Sequence, residues 1–255
     1  MPDLHPPQEI LDYIIDFLHD ETKALRQCCL VSKSLVPRTR KHLFATVELI
    51  ASDGIKKWKK AFPDPSKSPG YHTHTLKIKS TKAFNNEAEA EWITTFSRVI
   101  HLEIRGSLRL HLARFHRFSD TLKSLQMGPD FGSLLQLFNL ISSLPFLEDL
   151  TLLCAYGDTF GLETFVPSLP TGSALTGVLD LHMSMTDTAK HITSQLLKLP
   201  NGVHFRILKL DWNEVEVLDC IAKLVEACSG TLECLYLRKS EPGCVIYSVF
   251  CPICY

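Results

Sequence analysis

The chain has 255 residues, of which 45% are apolar and 22% charged, with a formal net charge of −1. That balance is ordinary for a globular protein, and it excludes a global field that would recruit nucleic acid or a membrane surface. The length allows one large domain, or a small one followed by a medium one. No run of 18 apolar residues occurs, so no membrane span is expected. Charge is uneven: residues 1–82 carry 14 Lys/Arg against 9 Asp/Glu, and the remainder 13 against 19. The nine cysteines are scattered and odd in number, and the start of the chain, with Pro2, Asp3 and Pro6, is unlike a signal peptide. Reduced thiols in the cytoplasm or nucleus are therefore expected.

Pro6 and Pro7 set the entry to a first helix over residues 8–19, since proline suits the first helical turn. Its apolar residues are Ile10, Leu11, Tyr13, Ile14, Ile15, Phe17 and Leu18, which cover more than half the circumference. A helix that only closes a small core needs one apolar stripe, so the second face predicts an interface. Asp20 can cap a second helix carrying Leu25, Cys28, Cys29, Leu30 and Val31. Pro37 opens a third helix over 38–44, and residues 46–50 alternate as a strand that leaves the module. A unit of roughly 45 residues is near the lower limit for folding alone. Residues 4–49 thus read as a small helical module that completes its core on a partner.

Three segments in this stretch carry a family resemblance: PPQEILDYIIDFL, ALRQCCLVSKS and PRTRKHLF. Their order is a Pro-x-Glu start with an Ile/Leu helix, a Leu-x-x-Cys-x-Leu-Val-Ser-(Lys/Arg) helix, and a closing Arg-x-x-Leu-Phe. This resembles an F-box of the type common in fungal proteins. Two positions depart from the family pattern. Pro6 stands where Leu usually precedes the proline, and Leu35 stands where Trp is usual. The resemblance implies docking on a Skp-type adaptor of a cullin–RING ubiquitin ligase. The positions that would form or support that contact are Pro7, Ile10, Leu11, Ile14, Leu18, Leu25, Leu30 and Val31.

Residues 50–72 read as a connector. Lys56-Lys57-Trp58-Lys59-Lys60 predicts a short solvated helix with one aromatic turned inward, and a charge cluster alone is weak evidence for nucleic acid. Residues 62–70 are rich in Pro, Ser and Gly and predict turns rather than regular structure.

From residue 73 to 240 the chain repeats itself. Pieces of the form apolar-x-x-Leu-x-Leu end at residues 104, 127, 152, 210 and 237, and Leu76-x-Ile78 and Leu179-x-Leu181 match the last half. The spacings from 78 to 237 are 26, 23, 25, 29, 29 and 27 residues. Helical segments are expected between them, at 87–98, 132–143, 188–199 and 215–228. Strand then helix, seven times over, predicts a parallel α/β solenoid with a curved sheet. The pattern resembles degenerate leucine-rich repeats, which often follow an F-box; the repeat-closing Asn is mostly missing, which predicts irregular turns. Residues 108–112 extend or duplicate the strand ending at Ile104. The residues between the leucines project onto the concave face. Among them Gln126, Thr151, Asp180, His182, Asp211, Tyr236 and Arg238 are the candidate substrate-binding set.

Residues 241–255 form an apolar tail, read either as a last strand over the sheet edge or as a truncated end. Cys251-x-x-Cys254 lacks a second pair at the spacing a structural zinc site needs, so no metal is expected. The chain holds no phosphate-cradling Gly loop, no Gly-x-Ser-x-Gly and no His-Glu-x-x-His. His72-x-His74 is the closest histidine pair, without a nearby third ligand. Neither catalysis nor a cofactor is expected. Two readings stay open: a ligase adaptor that acts by proximity, with an unknown protein substrate, and an interaction scaffold with no ligase link.

Overall fold

The structure, a computed structural model, describes residues 6–50, 53–79, 92–105, 112–128, 130–153, 156–158, 175–183, 186–199, 201–212, 214–241 and 244–250. Residues 87–91 of one expected helix, 108–111 of the expected strand extension, and the Cys251–Cys254 pair lie outside the described residues.

Helix α1 (Gln8–Phe17) starts from Pro7, whose carbonyl accepts the Ile10 and Leu11 N–H groups at 3.0 and 3.3 Å. Helix α2 (Thr22–Val31) buries Leu25, and α3 (Val36–Leu43) carries Pro37 in its first turn. Arg40, Lys41 and His42 in the last turn of α3 suit the negative end of its dipole. Both α1 and α2 pack on α3. Asp16 of α1 fixes that packing: Arg38 Nε donates to its Oδ1 at 2.6 Å, Arg38 Nη2 grips Oδ2, and His42 Nε2 donates to Oδ1 at 2.7 Å. Those hydrogen bonds, Arg38 first and His42 second, hold the carboxyl far below its ordinary range.

Strand β1 (Thr46–Ile50) belongs to the sheet rather than leaving the module for a linker. It pairs parallel with β2 (Thr75–Lys79), matching Val47 to Leu76 and Leu49 to Ile78. The remaining strands are β3 (His101–Arg105), β4 (Ser124–Met127), β6 (Asp149–Leu152), β8 (Val178–Met183), β9 (Ile207–Trp212), β10 (Cys234–Glu241) and β11 (Cys244–Phe250). They form one open, curved sheet in the order β1-β2-β3-β4-β6-β8-β9-β10-β11. The first eight are parallel, and β11 turns back antiparallel on β10. A separate two-stranded parallel pair, β5 (Asp130–Ser133) with β7 (Tyr156–Asp158), was not foreshadowed by the repeat pattern.

Register explains the repeat. Leu49, Ile78, Ile104, Met127, Leu152, Leu181, Leu210 and Leu237 are successive cross-strand partners. Seven of the eight are buried and Leu237 is half-buried. Strand entry is regular despite the missing Asn. The Ala45 carbonyl accepts the His74 and Thr75 N–H groups, His74 accepts Ile100 and His101, and Ile100 accepts Lys123 and Ser124. Lys123 accepts Glu148 and Asp149, Gly177 accepts Arg206 and Ile207, and Arg206 accepts Glu233 and Cys234. At the one irregular step, Glu148 accepts only Gly177 N–H, and Asp149 Oδ1 takes the Val178 N–H at 2.8 Å. A Cβ on Gly177 would meet that oxygen at 2.0 Å, so the Asp149–Val178 hydrogen bond needs glycine here.

The crossovers cover one face of the sheet. They supply Ile55 of α4 (Gly54–Ala61), Phe115 and Phe118 of the 3₁₀ segment Leu112–Phe118, Phe138 of α5 (Leu134–Ser142), Ile192 of α6 (Thr186–Leu197) and Leu224 of α7 (Leu218–Cys228). One continuous cluster of buried apolar side chains runs from Val47 to Cys228. The basic connector segment is folded onto it. Trp58 packs at 5.9 Å on Phe44, 4.8 Å on Phe62 and 5.1 Å on Phe96, and its Nε1 donates to the buried Ser68 hydroxyl at 3.2 Å. Short 3₁₀ turns, Pro65–Lys67 and Pro69–His72, replace the irregular loop; Asp64 and Ser68 accept from the N–H groups of Ser66 and Gly70.

Candidate protein-interaction surfaces

Helix α1 divides its apolar residues by spacing. Leu11, Ile15 and Leu18, at i, i+4 and i+7, face the module; Ile15 is buried and the other two half-buried. Ile10, Tyr13, Ile14 and Phe17, at i, i+3, i+4 and i+7, form a second stripe turned to solvent. Phe17 is 80% exposed, Tyr13 72% and Ile14 48%. At the end of α2, Leu30 is 88% exposed and Val31 is scarcely less so. Large apolar side chains placed this densely on so short a module form the kind of patch that a partner covers.

The eight expected contact residues therefore separate. Pro7, Ile10, Ile14, Leu30 and Val31 are exposed, Leu11 and Leu18 are half-buried, and Leu25 is 1% exposed. Leu25 supports the module from inside and cannot touch a partner. Tyr13 and Phe17, absent from the expected set, belong to the exposed stripe, and the i+3 and i+7 spacing from Ile10 marks them in the sequence.

The face of the sheet opposite the described crossovers carries the second surface. One row of cross-strand partners reads Glu48, Lys77, Glu103, Gln126, Thr151, Asp180, Lys209 and Tyr236. A second row runs Ile50, Lys79, Arg105 at one end and His182, Asp211, Arg238 at the other. All seven candidate substrate-binding residues lie in these two rows. Asp180, His182, Asp211 and Arg238 converge, Tyr236 lies beside Lys209 in register, and Gln126 and Thr151 sit apart on the central strands.

Most of the charge on this face is paired within it. Lys79 lies 2.5 Å from Glu48, Lys77 lies 3.3 Å from Glu103, and Arg105 contacts the other Glu103 oxygen without hydrogen-bond alignment. At the far end His182 bridges two carboxylates: Nε2 is 3.3 Å from Asp180 and Nδ1 is 3.0 Å from Asp211, whose same oxygen lies 3.8 Å from Arg238. The Asp180 hydrogen bond raises the His182 pKa against the opposing effect of burial, with Asp211 adding to it. Burial raises Asp211 despite the cations beside it. Protonated His182 neutralises a cluster that would otherwise hold two carboxylates against one guanidinium. The arrangement offers a pH-responsive polar patch flanked by Tyr236, which is 37% exposed.

The other sequence candidates sit elsewhere. Lys57 pairs with Asp53 at 2.8 Å, and Lys59 lies over the Trp92 ring at 5.7 Å. Cys28 and Cys29 are half-buried free thiols. Burial lowers the His72 pKa, helped by Arg40, Arg98 and Lys41. Among the described residues no helix is long and apolar enough to cross a membrane. No protein-family model matches the chain, and no curated protein is similar to it at a significant level.

Proposed function

We propose that this chain is the substrate-recognition subunit of a cullin–RING ubiquitin ligase, docking on a Skp-type adaptor through a fungal-type F-box and holding a target protein on a leucine-rich-repeat-like sheet. The observation that carries the reading is the solvent-facing stripe Ile10, Tyr13, Ile14 and Phe17 on α1, with Leu30 and Val31 on α2. It supports the F-box resemblance in that Ile10, Ile14, Leu30 and Val31, four of the positions the resemblance implies for the adaptor contact, are exposed, and Tyr13 and Phe17 extend the same stripe. The sheet's open face, with paired charges and the Tyr236 ring, supplies the second surface. The mechanism is proximity: holding target and ubiquitin-loaded enzyme together raises effective concentration. No group in the chain is assigned a chemical step.

The test is co-expression with a Skp-type adaptor and co-purification, with Ile14→Asp alongside. A complex formed by the native chain and lost in the variant is the expected result. A soluble native chain that leaves the adaptor unbound would replace the proposal with the scaffold reading, in which the same apolar stripe meets a different partner.

A further inference from the structure

Strand β1 stands at the end of the sheet, and among the described residues no strand lies on its far side. In a parallel ladder a strand bonds its neighbour through alternate residues. The Ala45 carbonyl accepts the Thr75 N–H, so in the observed register Val47 and Leu49 bond β2 in turn. The backbone N–H and C=O groups of Thr46, Glu48 and Ile50 therefore point away from the sheet. All three residues are exposed, Ile50 by 60%. Edge strands are ordinarily shielded by a proline, a bulge or a charged side chain. Strand β1 has no proline and no break in register, and Lys79 neutralises its one charge, Glu48, at 2.5 Å.

The bare edge opens on a groove of about 490 Å³. All five residues of β1 line it, those of both faces alike, which places it along the edge of the strand. Leu43 of α3 gives one apolar wall. Helix α4 gives another through Gly54, Trp58 and Ala61, which share a helix face at i, i+4 and i+7. Two cations border the groove. Lys57 pairs with Asp53, whereas Arg26 of α2 has no ion-pair partner among the described residues.

These features specify an occupant. Outward donors and acceptors repeating along about 16 Å of strand match a second extended backbone, not a helix whose own groups are satisfied. The apolar walls suit every other side chain of such a segment, and Arg26 suits a carboxylate. A second copy of β1 fits less well. Paired antiparallel about its centre it would set Glu48 against Glu48, and like charges directly opposite are destabilising. It would also bring no acid for Arg26, since Glu48 is committed to Lys79.

We propose that the free edge of β1 binds an extended peptide segment of a partner protein by main-chain pairing, with apolar side chains at alternate positions in the groove and an acidic side chain on Arg26. The site does not rest on the adaptor reading. Its probe is a capped hexapeptide of alternating valine and threonine ending in aspartate, titrated by calorimetry into the full chain. A lysine-ended peptide is the charge control. Two further versions, N-methylated at odd or at even residues, each remove the donors of one peptide edge. Saturable binding is expected, weaker for the lysine peptide, lost in one methylated version and kept in the other, because a paired strand turns only one edge to β1. Glu48→Pro deletes an outward donor and spares the bonds to β2, and proline is tolerated at such edge positions. It should weaken binding about tenfold or more, with Glu48→Gln binding as the native chain does. Arg26→Gln should weaken the aspartate peptide severalfold. The methylated pair reads out on the native chain even where Glu48→Pro folds poorly. Absence of saturable binding, or equal binding by both methylated peptides, would overturn the proposal. So would a concentration-dependent dimer abolished by Glu48→Pro, which would give the edge to a second copy of the chain.

Discussion

Replacing Phe17 by Asp separates docking from folding, which Ile14→Asp does not. Phe17 is 80% exposed in the chain, so its loss removes little packing, and a surface change of this kind costs within about 0.5 kcal/mol. Ile14 is 48% exposed; roughly half of its ~1.5–3 kcal/mol burial value is already realised within the module, so Asp there costs about 1 kcal/mol of stability before any partner arrives. On docking the balance reverses. Covering Phe17 brings the larger apolar gain, and an aspartate in its place would lose that gain and bury an unpaired charge. Together these cost ~3 kcal/mol or more, about a hundredfold in affinity. The assay is titration of a Skp-type adaptor against native chain, Phe17→Asp, Ile14→Asp and the open-face control Tyr236→Ala, with urea unfolding of each. Phe17→Asp should unfold as the native chain does and bind at least about a hundredfold more weakly, with Tyr236→Ala binding normally. Native-like binding by Phe17→Asp would refute the assignment of this stripe as the docking face.

The inward and outward assignments on the sheet are tested by adjacent residues: Leu150→Ala, at a fully buried position, should cost ~2–5 kcal/mol in urea unfolding, and Thr151→Ala about 0.5 kcal/mol or less. Gly177→Ala should displace the Asp149 carboxylate from the Val178 N–H and cost ~1–3 kcal/mol, read in the same assay and by faster amide exchange at Val178. Asp16 has a folded pKa below its unfolded value, so its contribution is present above pH ~4 and lost as pH falls through the depressed value. Its side chain is 38% exposed, so solvent screening limits the loss in Asp16→Asn to about 1 kcal/mol, seen as weaker exchange protection in α1 and α3 at neutral pH. His182 has a raised pKa, so its contribution is complete below pH ~6.5 and lost as pH rises through the folded value. Between pH 6 and pH 8 the native chain should lose stability relative to His182→Gln by under ~1 kcal/mol; His72, whose pKa is lowered, acts in the opposite sense in both and cancels from the comparison.

The sheet was legible because burial imposes a period on sequence. Each inward leucine meets its partner one repeat on, so Ile78, Ile104 and Leu181 could be aligned before any register was known. The repeat membership of the strand expected at 46–50 was passed over, although Phe44-x-x-Val47-x-Leu49 fits the same pattern and Leu49 stands 29 residues before Ile78. It was hidden by lying inside the segment claimed for the helical module. The β5–β7 pair left no trace because its segments, Asp130–Ser133 and Tyr156–Asp158, lack the apolar-x-x-Leu-x-Leu pattern that marks equally short strands such as β4 and β6. The Asp149–Val178 bond was equally unreadable, since a side chain substituting for a backbone acceptor depends on a turn that only the fold defines. On the open face the sequence placed residues in the right rows, and alternation puts Asp180 and His182 on one side of the same strand, but the pairing of His182 with Asp211 arises from cross-strand neighbours 29 residues apart.

The connector bears on mechanism as well as fold. Read as a flexible linker, residues 50–72 would let the helical module and the sheet reorient freely, and effective concentration would fall with linker reach. The structure instead stacks Phe44, at the end of α3, against Trp58 and Phe62, and Trp58 in turn against Phe96 under the sheet. Thr73 Oγ1 donates to the Phe44 carbonyl at 2.9 Å, and β1 runs directly from the module into the sheet. Aromatic contacts and a shared strand leave little freedom between the two surfaces. If the α1 stripe docks on an adaptor, the open face is carried at a fixed offset from it. A target would then be presented at one geometry rather than sampled over many, and the proximity gain would depend on where on that face it binds.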